Sequence, residues 1–280
     1  MFKRMSPVIR KLGLGGGGAK GILQIGALME LSKHQALDFP DGIYGSSVGS
    51  IIASCVAFKI PIETILEFVK TYSSIQKLIP SKFDVQNISK LFTSKGFYNM
   101  NVFNTRMIEL FKSANIDIEN KKLKDAEMPL YIVSSNITKG VPTIFSGDVS
   151  VLDALRCSCC IPFLFHPQQV GDNLYVDGNI LTPNLTSICS SDTIILNLDK
   201  HRKHSIMPSQ LESLSALDYA RELYNIITLH AQKAQSAHNS VSLSYPNLYS
   251  DSDLSEFNIE DILVYSGNQF GRFLSSKVLS

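Results

Sequence analysis

The chain has 280 residues, of which 44% are hydrophobic and 18% are charged, and its formal net charge is +1. This composition is typical of a globular protein and excludes a disordered chain. A net charge so close to zero gives no electrostatic support for a nucleic-acid partner, and we expect none. The five cysteines are few and odd in number, which argues against a secreted disulfide scaffold.

Targeting signals are weak. The first seven residues are basic, but no apolar core of a signal peptide follows them. No apolar run reaches the roughly 18 residues that a membrane-spanning helix requires. We therefore expect an intracellular protein, cytoplasmic or peripherally bound to a membrane.

Apolar periodicity and turn residues predict an alternation of strands and helices along the chain. From the N-terminus, strands (β) and helices (α) are predicted at residues 8–14 (β), 22–31 (α), 41–44 (β), 48–58 (α), 62–72 (α), 101–111 (α), 130–137 (β), 141–145 (β), 150–160 (α), 174–176 (β), 193–198 (β), 211–238 (α) and 258–274 (α). Residues 75–99 and 247–255 are expected to be irregular. No repeat or linker interrupts this order, so we expect one α/β domain spanning residues 1–280.

Two glycine-framed segments carry the chemistry. Residues 45–49 form a G-x-S-x-G pattern centred on Ser47, which predicts a sharp turn from a strand into a buried helix that Ser47 caps. Residues 15–21 are glycine-rich and can present bare backbone N–H groups. A serine nucleophile needs a base and donors for the oxyanion, and a helix N-terminus favours negative charge. The pair of motifs therefore suggests acyl transfer at Ser47.

Rival interpretations of these motifs stay open in part. A Walker A loop is excluded because Lys20 is followed by glycine. A dinucleotide fingerprint is met by the glycine run, with Asp38 or Asp41 about twenty residues further on. A Ser–His–Asp triad could draw its base from the histidines after residue 177. Those histidines are His201, His204, His230 and His238.

Metal-binding patterns are not convincing. Cys157, Cys159 and Cys160 with His166 match no ordinary zinc spacing. The acidic loop at residues 251–256 lacks the glycine and the layout of an EF-hand. We expect neither a metal nor another cofactor.

The motifs together resemble the patatin-like phospholipase family. The resemblance is carried by the glycine run ending at Gly21, the Gly45–Gly49 elbow, the segment at residues 154–167 and a later Asp177-Gly178. Asp177 lies 130 residues after Ser47, in the order that the family shows. The matched core covers about residues 8–200, with a C-terminal helical part at about 205–280.

The resemblance implies a fold, a site and a substrate class. The fold would be a three-layer α/β/α arrangement with a mostly parallel central sheet. Ser47 and Asp177 would form a catalytic dyad, and Lys20 would position the glycine loop. The oxyanion hole would be formed by backbone N–H groups of Gly16, Gly17, Gly18 and Val48. The substrate would be a phospholipid or another lipid ester at a membrane surface.

One position departs from the family pattern. Asn179 stands after Asp177-Gly178, where the family usually has glycine or alanine. A larger side chain there could crowd the base or hydrogen-bond to it. A non-catalytic nucleotide- or lipid-binding protein, or an inactive relative, therefore remains an alternative.

Overall fold

The computed structural model describes residues 8–72, 91–199, 216–234, 239–248 and 253–278. Its strands are β1 (Lys11–Leu14), β2 (Gly42–Ser46), β3 (Gly96–Tyr98), β4 (Leu130–Asn136), β5 (Val141–Phe145), β6 (Phe163–Phe165), β7 (Gln168–Val170), β8 (Asn173–Asp177), β9 (Ile194–Leu198) and β10 (Ser240–Leu243). Its α-helices are α1 (Gly21–Ser32), α2 (Val48–Ala57), α3 (Ile62–Tyr72), α4 (Asn101–Ser113), α5 (Val151–Ser158), α6 (Ala216–Ala234) and α7 (Ile259–Val278).

Eight of these strands form one central sheet in the order β10-β9-β1-β2-β4-β8-β7, with β5 also paired to β4. The pairs from β10 through β9, β1 and β2 to β4 are all parallel. The strands β5, β8 and β7 add antiparallel pairs at the other end. The predicted α/β class with a mostly parallel central sheet is confirmed. A separate parallel pair joins β3 to β6.

The pairing of β4 positions two distant segments. Ile132 pairs with Gly45 of β2 and with Phe145 of β5, so these two strands occupy opposite edges of β4. Further along β4, Ser134 pairs with Asp177 of β8. The strands β2 and β8 therefore follow one another along the same edge. The last residue of each strand, Ser46 and Asp177, is held by consecutive β4 residues.

Two helices contribute most directly to the surroundings of this edge. Every residue of α2 from Gly49 to Ala57 is buried, in agreement with its apolar sequence on all sides. The helix α1 follows the glycine run and packs closely on α7. A Cβ atom built on Gly26 would lie only 2.1 Å from Ser266 Oγ of α7. Within the described chain, none of the helices is both long and apolar enough to cross a bilayer.

Several short strands were not predicted. These are β3, β6, β7 and β10, each of three or four residues. A run that short holds too few alternating positions to be distinguished from a loop. The predicted strand at residues 8–14 is shorter, beginning at Lys11. Parts of three predicted segments lie outside the described residues. These parts are residues 75–90 for the irregular segment at 75–99, residues 211–215 and 235–238 for the helix at 211–238, and residues 249–252 for the irregular segment at 247–255.

Candidate active site

The elbow between β2 and α2 brings two backbones into contact. Ser47 has φ 52° and ψ −129°, a left-handed conformation that is uncommon for residues other than glycine. A Cβ atom on Gly45 would lie 2.5 Å from the carbonyl oxygen of Gly49. One on Gly49 would lie 2.1 Å from the carbonyl oxygen of Leu14 at the end of β1. The strand, the turn and the helix can therefore meet only with glycine at these two positions.

A serine from another helix holds the strained residue in place. Ser158 ends α5 and is fully buried. Its hydroxyl accepts a hydrogen bond from the backbone N–H of Ser47 at 2.9 Å and donates one to the Val133 carbonyl at 2.7 Å. The elbow is thus tied to β4 through α5. Sequence analysis missed Ser158, since a small residue within a cysteine cluster signals only close packing.

The Ser47 hydroxyl contacts Asp177 directly. Ser47 is 8% exposed and Asp177 is fully buried. The distance from Ser47 Oγ to Asp177 Oδ2 is 2.7 Å. Ser47 occupies the N-cap position of α2, as predicted, but its side chain makes no capping hydrogen bond. The hydroxyl donates to the carboxylate of Asp177 instead of accepting from the helix backbone.

The other oxygen of Asp177 has two donors. The backbone N–H of Asn179 donates to Oδ1 at 2.9 Å, and the hydroxyl of Tyr224 donates to it at 3.1 Å. Burial, with the charge of Asp177 beside it, raises the pKa of Tyr224 well above its usual value. The phenol therefore stays protonated and able to donate. Tyr224 was not found from the sequence, because nothing in α6 distinguishes it from an ordinary packing tyrosine.

The glycine run lies against Asn179, which follows Asp177 closely, and against Val48, which follows Ser47. A Cβ atom on Gly16 would lie 2.1 Å from the side-chain nitrogen of Asn179, and one on Gly21 would lie 2.6 Å from Val48 Cγ2. A Cβ atom on Gly17 would lie 2.8 Å from Leu198 Cβ of β9. In the described part of the chain, the backbone N–H groups of Gly16, Gly17 and Val48 donate no hydrogen bond. Donors without partners thus lie beside the serine turn.

Two buried side chains fix the glycine loop. The ammonium group of Lys20 donates to the Asp199 carbonyl at 3.0 Å, just beyond β9. The side-chain nitrogen of Gln24 donates to the carbonyls of Gly15 at 2.7 Å and Leu196 at 3.0 Å. Lys20 is therefore engaged in holding the loop against β9, the role expected for it. Gln24 was missed, since a polar residue inside an apolar helix carries no motif of its own.

The structure has room for Asn179, which replaces the glycine or alanine of the family pattern. Asn179 is 2% exposed, and its side-chain oxygen accepts a hydrogen bond from Ser46 Oγ at 3.3 Å. The preceding Gly178 leaves no room for a side chain, because its Cβ atom would lie 2.5 Å from Ser46 Oγ. Asn179 thus fills space between the elbow and the glycine loop and does not displace Asp177.

The neighbouring cysteines are buried thiols. Burial raises the pKa of Cys157 to about 12, and burial together with the nearby charge of Asp177 raises the pKa of Cys159 and Cys160. These thiols are therefore neutral at physiological pH. Across the described residues, no three His, Cys, Asp or Glu side chains are grouped as metal ligands.

The structure opposes the dinucleotide interpretation. The acidic residue of that motif should lie at the same end of the sheet as the glycine run. The glycine run follows the carboxyl end of β1, whereas Asp41 precedes the amino end of the parallel strand β2. Asp41 instead pairs with Arg10 at 2.7 Å, and Asp38 pairs with Lys59 at 2.9 Å. Neither carboxylate can reach a ligand bound at the glycines.

The triad interpretation also lacks support from the geometry. His230 is exposed on α6, and the other three candidate histidines, His201, His204 and His238, lie outside the described residues. The direct contact of 2.7 Å between Ser47 and Asp177 leaves no space for an imidazole between them.

Comparison with known proteins places the fold and the motifs in one family. A family model described as "Patatin-like phospholipase" matches residues 12–189, well over half of the chain. Among solved structures, VipD from Legionella pneumophila covers 97% of this chain and 68% of its own, with a TM-score of 0.57 and 16% identity. The complex of ExoU with SpcU from Pseudomonas aeruginosa contains a chain that aligns with a TM-score of 0.51 and 14% identity, over 98% of this chain and 53% of that one.

Curated relatives also match part of this chain. The "Probable lipid hydrolase 463L" of Invertebrate iridescent virus 6 is 26% identical over 61% of this chain and 60% of its own length. The "cGAMP-activated phospholipase" of Escherichia coli (strain TW11681) is 25% identical over 64% of this chain and 54% of its own. This chain therefore spans little more than half the length of these two relatives. On the match at residues 12–189, the chain belongs to the patatin-like phospholipase family.

Proposed function

We propose that this protein is a lipid acyl hydrolase of the phospholipase A type, with Ser47 as the nucleophile and Asp177 as its base. One observation carries this proposal. Ser47, at the start of a buried helix, donates a 2.7 Å hydrogen bond from its Oγ to the fully buried carboxylate of Asp177. A buried carboxylate next to a strained serine can accept its proton without a histidine.

The first half of the reaction forms an acyl-enzyme. Ser47 Oγ attacks the ester carbonyl while its proton moves to Asp177 Oδ2. The negative charge that develops on the carbonyl oxygen is stabilised by backbone N–H groups of Gly16, Gly17, Gly18 and Val48. Collapse of this intermediate breaks the bond to the alcohol, which takes the proton from Asp177 and leaves as a lysophospholipid.

The second half returns the enzyme to its starting state. A water molecule gives a proton to Asp177 and attacks the acyl-serine carbonyl. The same N–H groups stabilise the second oxyanion. When it collapses, the proton returns to Ser47 Oγ and a fatty acid leaves. The same carboxylate therefore serves as base and then as acid in each half.

The substrate class is supported by the family and by the printed names of two relatives, a probable lipid hydrolase and a phospholipase. Membrane phospholipids are held in a bilayer, so the proposed enzyme acts as a peripheral protein at its surface. The site residues lie at the carboxyl ends of β1 and β2, where parallel sheets commonly bind ligands.

The test measures release of fatty acid from mixed phospholipid vesicles in the presence of EDTA. We expect Ser47→Ala and Asp177→Asn each to lower the rate by about 10³-fold or more, because each removes one member of the dyad. The matched controls Ser276→Ala and Asp172→Asn change exposed residues of the same types and should retain the native rate.

Two results would contradict the proposal. One is fatty-acid release that survives in folded Ser47→Ala protein. The other is a native chain that releases no fatty acid from phospholipids or short-chain esters and does not react with a fluorophosphonate probe. The second result would favour a non-catalytic lipid-binding member of the family.

A further inference from the structure

The carboxylate of Asp177 is restrained on the side that does not touch the serine. Its Oδ1 accepts hydrogen bonds from the backbone of Asn179 and from the hydroxyl of Tyr224, at 2.9 and 3.1 Å. Its Oδ2 accepts from Ser47. Rotation that exchanges the two oxygens would break both bonds to Oδ1. The carboxylate therefore has a single orientation, with Oδ2 directed to the serine.

Tyr224 reaches this site from a distant part of the chain. It belongs to α6, which lies beyond the residues matched by the family model. The side chain of Asn179 also lies close to this hydroxyl group and acts to lower its pKa, against the larger effect of burial. Asn179 in turn contacts Ser46 of the elbow and Gly16 of the glycine loop. One phenol group thus links α6 directly to Asp177, and Asn179 beside it lies between the elbow and the glycine loop.

Resting on the proposed function, we infer that Tyr224 is a positioning residue that holds Asp177 in the orientation and ionised form needed to take the Ser47 proton. Tyr224 donates to the oxygen that does not react, so it acts through Asp177 and not on the substrate. In this arrangement the side chain of Asn179 lies beside the phenol, at a position where the family usually has glycine or alanine.

The charges around Asp177 make this role measurable. The titratable groups that the described residues place against it are the phenol of Tyr224 and the thiols of Cys159 and Cys160. Burial raises the pKa of all three, and the charge of Asp177 adds to the effect. These groups stay neutral below about pH 8. They add no charge change of their own in that range, so a shift of the acid limb reports on Asp177.

The direct test is Tyr224→Phe, which keeps the ring and removes only the donor. A hydrogen bond donated to a carboxylate favours its charged form, so its loss makes protonation of Asp177 easier. We expect the acid limb of kcat on phospholipid vesicles to move to higher pH by about one unit. We also expect kcat at the optimum to fall about tenfold with little change in KM, because the carboxylate is less well oriented. The matched control is Tyr219→Phe, on the same helix but 46% exposed, which should behave as the native chain does.

A second measurement does not depend on activity. In protein labelled with ¹³C at the aspartate carboxyl carbon, the Asp177 signal is identified by its absence in Asp177→Asn. Its titration midpoint should rise by the same pH interval in Tyr224→Phe. A raised midpoint in a chain that hydrolyses no lipid would support this inference while contradicting the proposed function.

The outcome that overturns the inference is also defined. If folded Tyr224→Phe, checked by its circular dichroism and Tm, keeps the native midpoint and the native acid limb, Tyr224 is only a packing residue. Should that variant fail to fold, Asn179→Ala carries the test, since it keeps the backbone N–H that donates to Oδ1 and removes the side chain that lies beside the phenol. A rise of the midpoint is again expected, and an unchanged midpoint overturns the inference.

Discussion

At the scale of single residues, the elbow depends on two glycines that differ in what they touch. Gly45 faces the backbone of α2, and Gly49 faces the carbonyl group of Leu14 on the neighbouring strand. Backbone atoms cannot move aside as the end of a long side chain can. β1 can therefore approach the start of α2 only because Gly49 has no side chain. This approach also brings the glycine loop close to Ser47.

We predict that Gly49→Ala destabilises the protein by about 3 kcal/mol or more, because the added Cβ atom would lie 2.1 Å from a backbone oxygen. Urea denaturation measures the change. The control is Gly271→Ala on α7, where the nearest atom to an added Cβ is 3.6 Å away. That substitution should be neutral or slightly stabilising, since alanine favours a helix. Equal stability of the two variants would show that β1 and α2 are not in contact at Gly49.

At the scale of elements, α5 matters because its last residue reaches across to the elbow. Ser158 accepts from the Ser47 backbone and donates to β4, so it compensates for the unusual backbone conformation at Ser47. No other element of the described chain makes a hydrogen bond to that N–H group. The position of Ser47 thus depends on where α5 ends.

We predict that Ser158→Ala lowers the free energy of unfolding by about 1–3 kcal/mol, because it leaves a buried N–H group without a partner. It should also lower the rate of fatty-acid release, since the elbow is less firmly held. Ser54→Ala is the matched control: this serine is equally buried, but its hydroxyl has no hydrogen-bond partner in the described chain. Its removal should be neutral or stabilising. A denaturation midpoint for Ser158→Ala no lower than that for Ser54→Ala would contradict the role given to Ser158.

The sequence predicted those elements whose signal is local. The elbow, the glycine run and α2 were predicted because glycine spacing and continuous apolar character are visible in a short window. The aspartate at the end of β8 was found through a resemblance, not through periodicity. Ser158 and Tyr224 were not found, because their roles arise from pairing between segments far apart in the chain. A hydrogen bond across such a distance leaves no pattern in either segment.

At the scale of the whole molecule, the crossing of α1 and α7 connects the glycine loop to the C-terminal part. The helix α1 begins directly after the loop, and Gly26 lets α7 approach within contact of its backbone. A Cβ atom there would meet Ser266 Oγ at 2.1 Å and the Leu263 carbonyl oxygen at 2.5 Å. The part of the chain beyond the family match therefore supports the part that holds the site.

We predict that Gly26→Val lowers Tm by about 5 °C or more, because three added carbon atoms force the two helices apart. Differential scanning calorimetry measures the shift. Gly267, which faces the same crossing with its nearest contact at 3.2 Å, provides a graded control as Gly267→Ala. Its effect should be smaller. An unchanged Tm for Gly26→Val would mean that α7 does not pack on α1 as described.

The end-to-end placement of β2 and β8 along β4 also governs the order in which the site comes into being. Ser47 and Asp177 are separated by 130 residues, so during synthesis Ser47 emerges long before Asp177. On the proposed mechanism, Ser47 has no base until β8 docks beside Ser134, and until then its hydroxyl is as unreactive as any other. A nascent chain therefore cannot hydrolyse the lipids around it, and activity begins only when β8 pairs with β4.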